Sequence, residues 1–538
     1  MEQITPNSTA DKIFEFYRNS LLSGPATVIK KGASEVTMLA LEATKKLAAA
    51  GISKLRGGDD QRYASESYWF AKGAMDGLSH AKAVLTGEFN LEDAPGFEKS
   101  GQQAIKGLAG DIVRFPSTVL SRQTNLMYVL NYFGELNAQA ARSAIKEGLT
   151  GTELAARQEY LVQHPTAEMT DAAHETGLHN TFQKDLGKFG KKTQGAIKAE
   201  PTGALKYLVP FFRTPINLAK ESAYYSPYGL FKGTLQGDLD MQARGLVGSS
   251  LAAGIAYLAA NGLVTGGGPV DFKKRETLES TGWQPYSVKI GDRYISFRRL
   301  EPVGLAMALV ADAVHGMKSG DPEVVAQSKI DTATNHIARS LQDVAFVPTL
   351  ANLSEAITNP ESRAQNFISR QVAGFVPSLV KDVAQASDRT VRKPTGIAQT
   401  IESRIPGLTT RVPAVVDIAG KTVQRPASAG GGANPFPVST ANNDPVMKEL
   451  ARLGVSTSQA PSSVKRRGQV TLLSDSQRQK LAEQEGQELY NRMSKIVLGK
   501  GWQSLPDDAR RKQITKFRRQ IEESRQARIA RMGTSQSK

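Results

Sequence analysis

The apolar positions along this chain recur with a helical period almost throughout. Val36, Leu39, Ala40, Ala43 and Leu47 follow an i, i+3, i+4, i+7 stripe that predicts an amphipathic helix stopped at Gly51. Leu126, Val129, Leu130, Phe133, Ala140, Ala141 and Ala144 predict a second. Proline and glycine mark expected joints at Gly24-Pro25 and Phe115-Pro116. The period changes to two once. Tyr286, Val288 and Ile290 alternate with polar residues, Gly291-Asp292 offers a turn, and Arg293 to Phe297 returns. That predicts a β-hairpin over 286–298, packed on neighbouring helices through Trp283 and Tyr286. The fold class expected is mainly α, with that one small hairpin.

One stretch departs from amphipathicity. Gly245 to Val264, GLVGSSLAAGIAYLAANGLV, is free of charge and long enough to cross about 30 Å of hydrocarbon. Nine of its 20 residues are Ala or Gly, and only Leu246, Val247, Leu251, Ile255, Leu258, Leu263 and Val264 are strongly lipophilic. Three readings stand: a buried helix of a soluble protein, a permanent anchor, or a helix stored in a packed state that enters a membrane later. For the third, the span would comprise Gly245, Gly248, Leu251, Ala252, Ile255, Ala256, Leu258 and Val264. The small residues Gly248, Ala252 and Ala256 would allow close helix approach. Arg244 before the run and Lys273, Lys274 and Arg275 after it sit where interfacial cations belong. Gly266 to Gly268 reads as a helix stop, and 303–311 as a short core helix.

Beyond the run, 321–424 reads as helical with proline joints, and 425–470 as a Gly/Pro-rich linker and basic loop, the loop at 462–468. Residues 471–538 read as basic helices, the last capped at Ser504-Leu505-Pro506-Asp507. With an N-terminal helical region at 1–200 and a central segment at 201–320, this makes five segments.

Charge adds a direction. The chain of 538 residues has 68 Lys and Arg against 52 Asp and Glu, a net charge of +16, which favours an anionic partner. From Lys495 to Lys538 there are 12 Lys and Arg against four acids. Lys512, Lys516, Arg518, Arg519, Arg525, Arg528 and Arg531 are therefore candidates to neutralise phosphates of nucleic acid or an anionic lipid surface, and the same pattern also fits a solvated helix face. The absence of cysteine excludes disulfides, zinc thiolates and a Cys nucleophile. The N-terminal residues lack the basic and apolar regions of a secretory signal.

Catalytic patterns fail on spacing. His174-Glu175 and His179 give HExxxH, which does not put two histidines on one helical face as HExxH would. Gly187 to Thr193 lacks the P-loop spacing, and Glu66-Ser67 stands without the further motifs of a lytic transglycosylase. Neither an enzyme nor a cofactor is expected.

Several stretches carry a resemblance. RNSLLSGPAT near residue 18, VPFFRTPINL from Val209, GLVTGGGP from Gly262 and GWQPYSVKIGDRYISFRRLEPVG from Gly282 resemble phage internal virion proteins of the large polyvalent group, the ejection or DNA-transfer proteins. ASDRTVR from Ala386, IPGLTTRVPAVVDIAGK from Ile405 and GWQSLPDDARRKQI from Gly501 are similar to their C-terminal part. The resemblance implies a helical protein held in the virion interior and released with the genome into the host envelope. It also implies a homo-oligomer, with other ejection proteins, portal and tail proteins, double-stranded DNA and the host membrane as partners. The alternatives are a structural core or portal-proximal protein that is not ejected, and a DNA-binding protein.

Overall fold

The structure, a computed structural model, describes residues 8–57, 61–88, 103–187, 213–269, 272–297, 303–318, 371–425, 436–455, 460–461, 463–466, 469–525 and 528–529, with a few single positions between. The described helices of the first half are α1 (Thr9–Leu22), α2 (Pro25–Arg56), α3 (Ser65–Gly77), α4 (Ala81–Thr86), α5 (Gly107–Lys146), α6 (Gly151–Gln163), α7 (Ala167–Asn180), α8 (Arg213–Tyr224), α9 (Pro227–Gln236) and α10 (Leu239–Ala260). They continue as α11 (Phe272–Glu279), α12 (Val303–Lys318), α13 (Ser378–Ser387), α14 (Gly396–Glu402), α15 (Pro445–Arg452), α16 (Asp475–Ser494), α17 (Lys500–Gln503) and α18 (Asp507–Glu523). The strands are β1 (Ser287–Ile290), β2 (Arg293–Ser296), β3 (Val438–Thr440), β4 (Ser463–Arg466) and β5 (Gln469–Leu472). The fold is mainly α, with the expected hairpin in place. Two compact units divide the chain, Met1–Asn261 with Arg298–Phe367 and Gly262–Phe297 with Ile368–Lys538, so the central segment 201–320 is shared between them.

The first unit is built on α5, 40 residues long and so about 60 Å from end to end. Pro116 lies inside this helix rather than at a joint. The lost hydrogen bond is tolerated where α1 braces the turn, Glu15 meeting Arg114 at 2.8 Å. Helix α3 crosses α5 at glycine: a side chain on Gly73 would strike the Phe133 carbonyl, and one on Gly134 the Phe70 ring. The Val129, Leu130, Ala140, Ala141 and Ala144 stripe is buried as its period predicts.

Helix α2 corrects its expected phase. Val36 and Leu47 are exposed, at 56% and 50%, and the helix runs through Gly51 to end at Gly57, whose φ is 68°. The buried face is instead Met38, Leu41, Glu42, Lys45, Lys46 and Ala49. Charged side chains occupy the inner face because each finds an opposite charge there.

In the second unit β1 pairs with β2 and β2 with β3, all antiparallel. Val264 adds an isolated bridge to Val288, and Tyr286 is 1% exposed with φ of 51°. Val438 and Ser439, read from composition as linker, thus belong to the sheet; 426–435 lie outside the described residues. The basic loop at 462–468 is likewise a correction, since Ser463–Arg466 pairs with Gln469–Leu472. Of the expected helical region 321–424, residues 319–368 lie outside the described set. After α14, residues 403–412 form turns and a short 3-10 helix at Thr409–Arg411, and 413–425 are largely extended about a turn at 418–420, with bridges Thr390–Gln424, Arg392–Ala414 and Val416–Thr422. Helices α15, α16 and α18 close on a core of Ile418, Leu450, Leu489, Met493, Trp502, Ile514 and Ile521. Ser474 caps α16 with a capping box to Gln477. At α18 the cap position is Pro506, whose side chain has no acceptor to offer, and Asp507, the first helical residue, pairs with Arg452 at 2.7 Å.

Candidate functional site

The apolar run and the helix that contains it do not share boundaries. Helix α10 starts at Leu239, where Asp238 accepts a hydrogen bond from the Met241 amide at 2.9 Å, and stops before Asn261 and Gly262, whose φ is 73°. Val264, expected in the span, is extended and fully buried, and the Lys289 amide donates to the Leu263 carbonyl at 2.7 Å. Within α10 the charge-free part, Gly245 to Ala260, rises about 24 Å, short of a hydrocarbon layer of roughly 30 Å.

The two halves of α10 have different surroundings. Gly245 and Gly248 are buried against α9 and the Tyr225 turn, so closely that a side chain on either would collide with the backbone of Leu230 or Tyr225. Close packing through small residues is present, at Gly245 and Gly248 rather than through Ala252 and Ala256, which are half-buried with Leu258. Further along, Ile255 and Ala259 are buried, but Ser250, Leu251, Ala253, Gly254 and Tyr257 face solvent, Tyr257 at 70%. Only 33% of the most apolar window of this helix is buried, unlike a core helix. Taken over its full 22 residues, which include Asp240 and Arg244, it is the one helix among the described residues long and apolar enough to cross a membrane.

The N-terminal half is held by charge. Lys45 lies 2.5 Å from Glu42 and 3.6 Å from Asp240, and Arg62 approaches Asp240 at 3.9 Å. Lys46 meets Glu135 at 2.5 Å, and the Arg142 guanidinium pairs with Glu66. Burial pulls the Lys45 ammonium down, but Asp240 and Glu42 carry it above its ordinary value. Nearby, His179 Nε2 lies 2.9 Å from Glu221, and burial holds His179 below its usual pKa. His174 instead meets the Tyr128 hydroxyl at 2.5 Å, so the two histidines serve separate contacts. Among the described residues no group of three His, Asp or Glu could hold a metal. Glu66, with Arg142 on it and the Tyr63 amide donating at 2.8 Å, is a structural carboxylate. Gly187 to Thr193 lies almost wholly outside the described residues.

The C-terminal cations separate into two kinds. Arg525 forks onto Glu485 at 2.8 and 3.1 Å, and Arg528 pairs with Glu488. These two hold α18 and its continuation on α16. Arg518 is half-buried, with burial pulling its guanidinium down. Lys512, Lys516 and Arg519 are exposed on one face of α18, Arg519 lying 3.7 Å from Glu523. Arg531 lies outside the described residues. Local sequence gave no sign of this division, because the acids that select Arg525 and Arg528 are 40 residues away.

Net charge follows the units. The first has 34 Lys and Arg against 34 Asp and Glu, and the second 34 against 18, so the whole +16 belongs to the second. Comparisons with protein families, with curated proteins and with solved structures find nothing that matches the chain.

Proposed function

We propose that this chain is a phage ejection protein, packaged in the virion and released with the genome to form part of an oligomeric trans-envelope channel for DNA. The observation that carries the reading is the division of labour between the units. One is electroneutral and stores a span-length helix half-exposed; the other holds all of the net positive charge. A protein that travels with DNA and then meets a bilayer needs both properties, and the resemblance in the central and C-terminal motifs points the same way. The role is non-enzymatic, in the virion interior first and the host envelope afterwards. Its partners are copies of itself, other ejection proteins, the portal and tail, DNA and the host membrane.

A second reading, a structural core or portal-proximal protein that stays in the particle, draws on the ion pair of Lys45 with Asp240, which ties α10 to α2. Quantitative mass spectrometry of full virions against DNA-free ghosts tests the choice. Loss from ghosts is expected; retention in both favours the structural reading, and absence from both ends the virion assignment.

A further inference from the structure

Helix α16 has an outer face that neither the apolar pattern nor the density of basic residues singles out. Ser476, Lys480, Gln484, Gln487, Asn491, Ser494 and Lys495 are its exposed side chains along this face, with no acid and no large apolar residue among them. From Lys480 to Lys495 it runs about 22 Å along the helix. The acids of the same helix are engaged elsewhere. Glu483 accepts from Gln479 at 2.9 Å, Glu485 holds Arg525, and Glu488 is shared by Arg492 and Arg528.

In the second unit Arg392 clamps Asp388 at 2.9 Å and Arg510 clamps Glu449 at 2.7 Å, while Lys480, Lys495, Lys500, Lys512 and Lys516 face solvent, as do Arg411 and Arg519. Several of the exposed positive charges are therefore lysine ammonium groups. On α16 these are interleaved with amides, which donate hydrogen bonds to phosphate oxygens without reading bases.

We propose that the outer face of α16, Lys480, Gln484, Gln487, Asn491 and Lys495, binds the phosphate backbone of duplex DNA. It deepens the reading above by naming the partner of the cationic unit. Lipid is the lesser fit on the same observations. A helix lying on a bilayer carries apolar residues beside its cations, whereas Leu481, Leu489 and Met493 of α16 are buried in the unit's own cores.

Fluorescence anisotropy of the full chain with a short duplex, over a series of salt concentrations, tests this. Each phosphate contact contributes a slope of about −0.9 to log K against log salt. K480E/K495E is expected to flatten the slope by about 1.8 and to weaken binding about tenfold or more. Q487A is expected to weaken binding with the slope kept. R528Q is expected to lower stability and leave the slope alone. Acetylation footprinting of the unaltered protein provides a second readout, with Lys480 and Lys495 protected by DNA. Unchanged slope in the double variant, absence of protection, or binding to phosphatidylglycerol vesicles without binding to duplex overturns the proposal. Retention of the protein in ghosts, alongside DNA binding of this form, would refute ejection and leave the α16 surface standing.

Discussion

Lys46 on α2 and Glu135 on α5 meet at 2.5 Å with side chains 5% and 6% exposed. An ion pair this deep is stabilising only as a pair, because either charge alone would be stranded in a poorly solvated site. Burial pushes the Glu135 carboxyl up, and Lys46 and Lys45 more than reverse the shift. Glu135→Ala should cost about 3–5 kcal/mol in chemical denaturation. The double replacement Lys46→Met/Glu135→Leu should recover most of that loss. Equal losses in the single and double variants would show that packing, not charge, dominates here.

The α9–α10 contact predicts a sharp contrast between two glycines of one helix. Gly245 has no room for a methyl group, the Leu230 backbone standing in its place, while Gly254 has nothing within 4 Å. Gly245→Ala should destabilise by about 1–3 kcal/mol through overpacking. Gly254→Ala should be neutral or stabilising by up to about 1 kcal/mol, since alanine is the better helix former. Denaturant midpoints of the two variants decide it.

Acid should act on the second unit in a defined window. The hydrogen bond from Arg452, with those from Arg510 and Trp502, holds Glu449 at about 2, against an ordinary 4.5. A carboxylate with a lowered folded pKa adds stability that is complete above 4.5 and is lost as pH falls towards 2. Thermal unfolding followed against pH should show that loss. Glu449→Gln should lower the midpoint at neutral pH and flatten the curve within the window.

The positions that sequence periodicity located well are those where burial and hydrophobicity coincide. The Val129–Ala144 stripe, the 286–298 hairpin and the helices after Asp444 and Ser474 are of this kind. The misread ones have long-range causes. Helix α2 buries Glu42, Lys45 and Lys46 because their partners come from its own face and from α5 and α10, so its apolar stripe points the wrong way. Val438 and Ser439 look like linker until β2 supplies an edge to pair with. The apolar run misplaced its helix at both ends for local reasons, since Asp238 caps it early and Gly262 turns the chain before Val264. Of the seven C-terminal cations, Lys512, Lys516 and Arg519 are exposed as a phosphate site requires, while Arg525 and Arg528 are structural clamps.

The most direct test of a stored membrane helix is Gly254→Arg. Its position is exposed and has open space around it, so the folded protein should accept arginine with a change within about 0.5 kcal/mol. A charge at the centre of a spanning helix costs about 2.5–3.5 kcal/mol on insertion, roughly two orders of magnitude in the inserted fraction. Liposome flotation of the wild type and the variant, after confirming equal unfolding midpoints, measures this. A stored membrane helix requires that the wild type inserts and the variant does not. Equal insertion of the two, or failure of the wild type to insert at all, contradicts it.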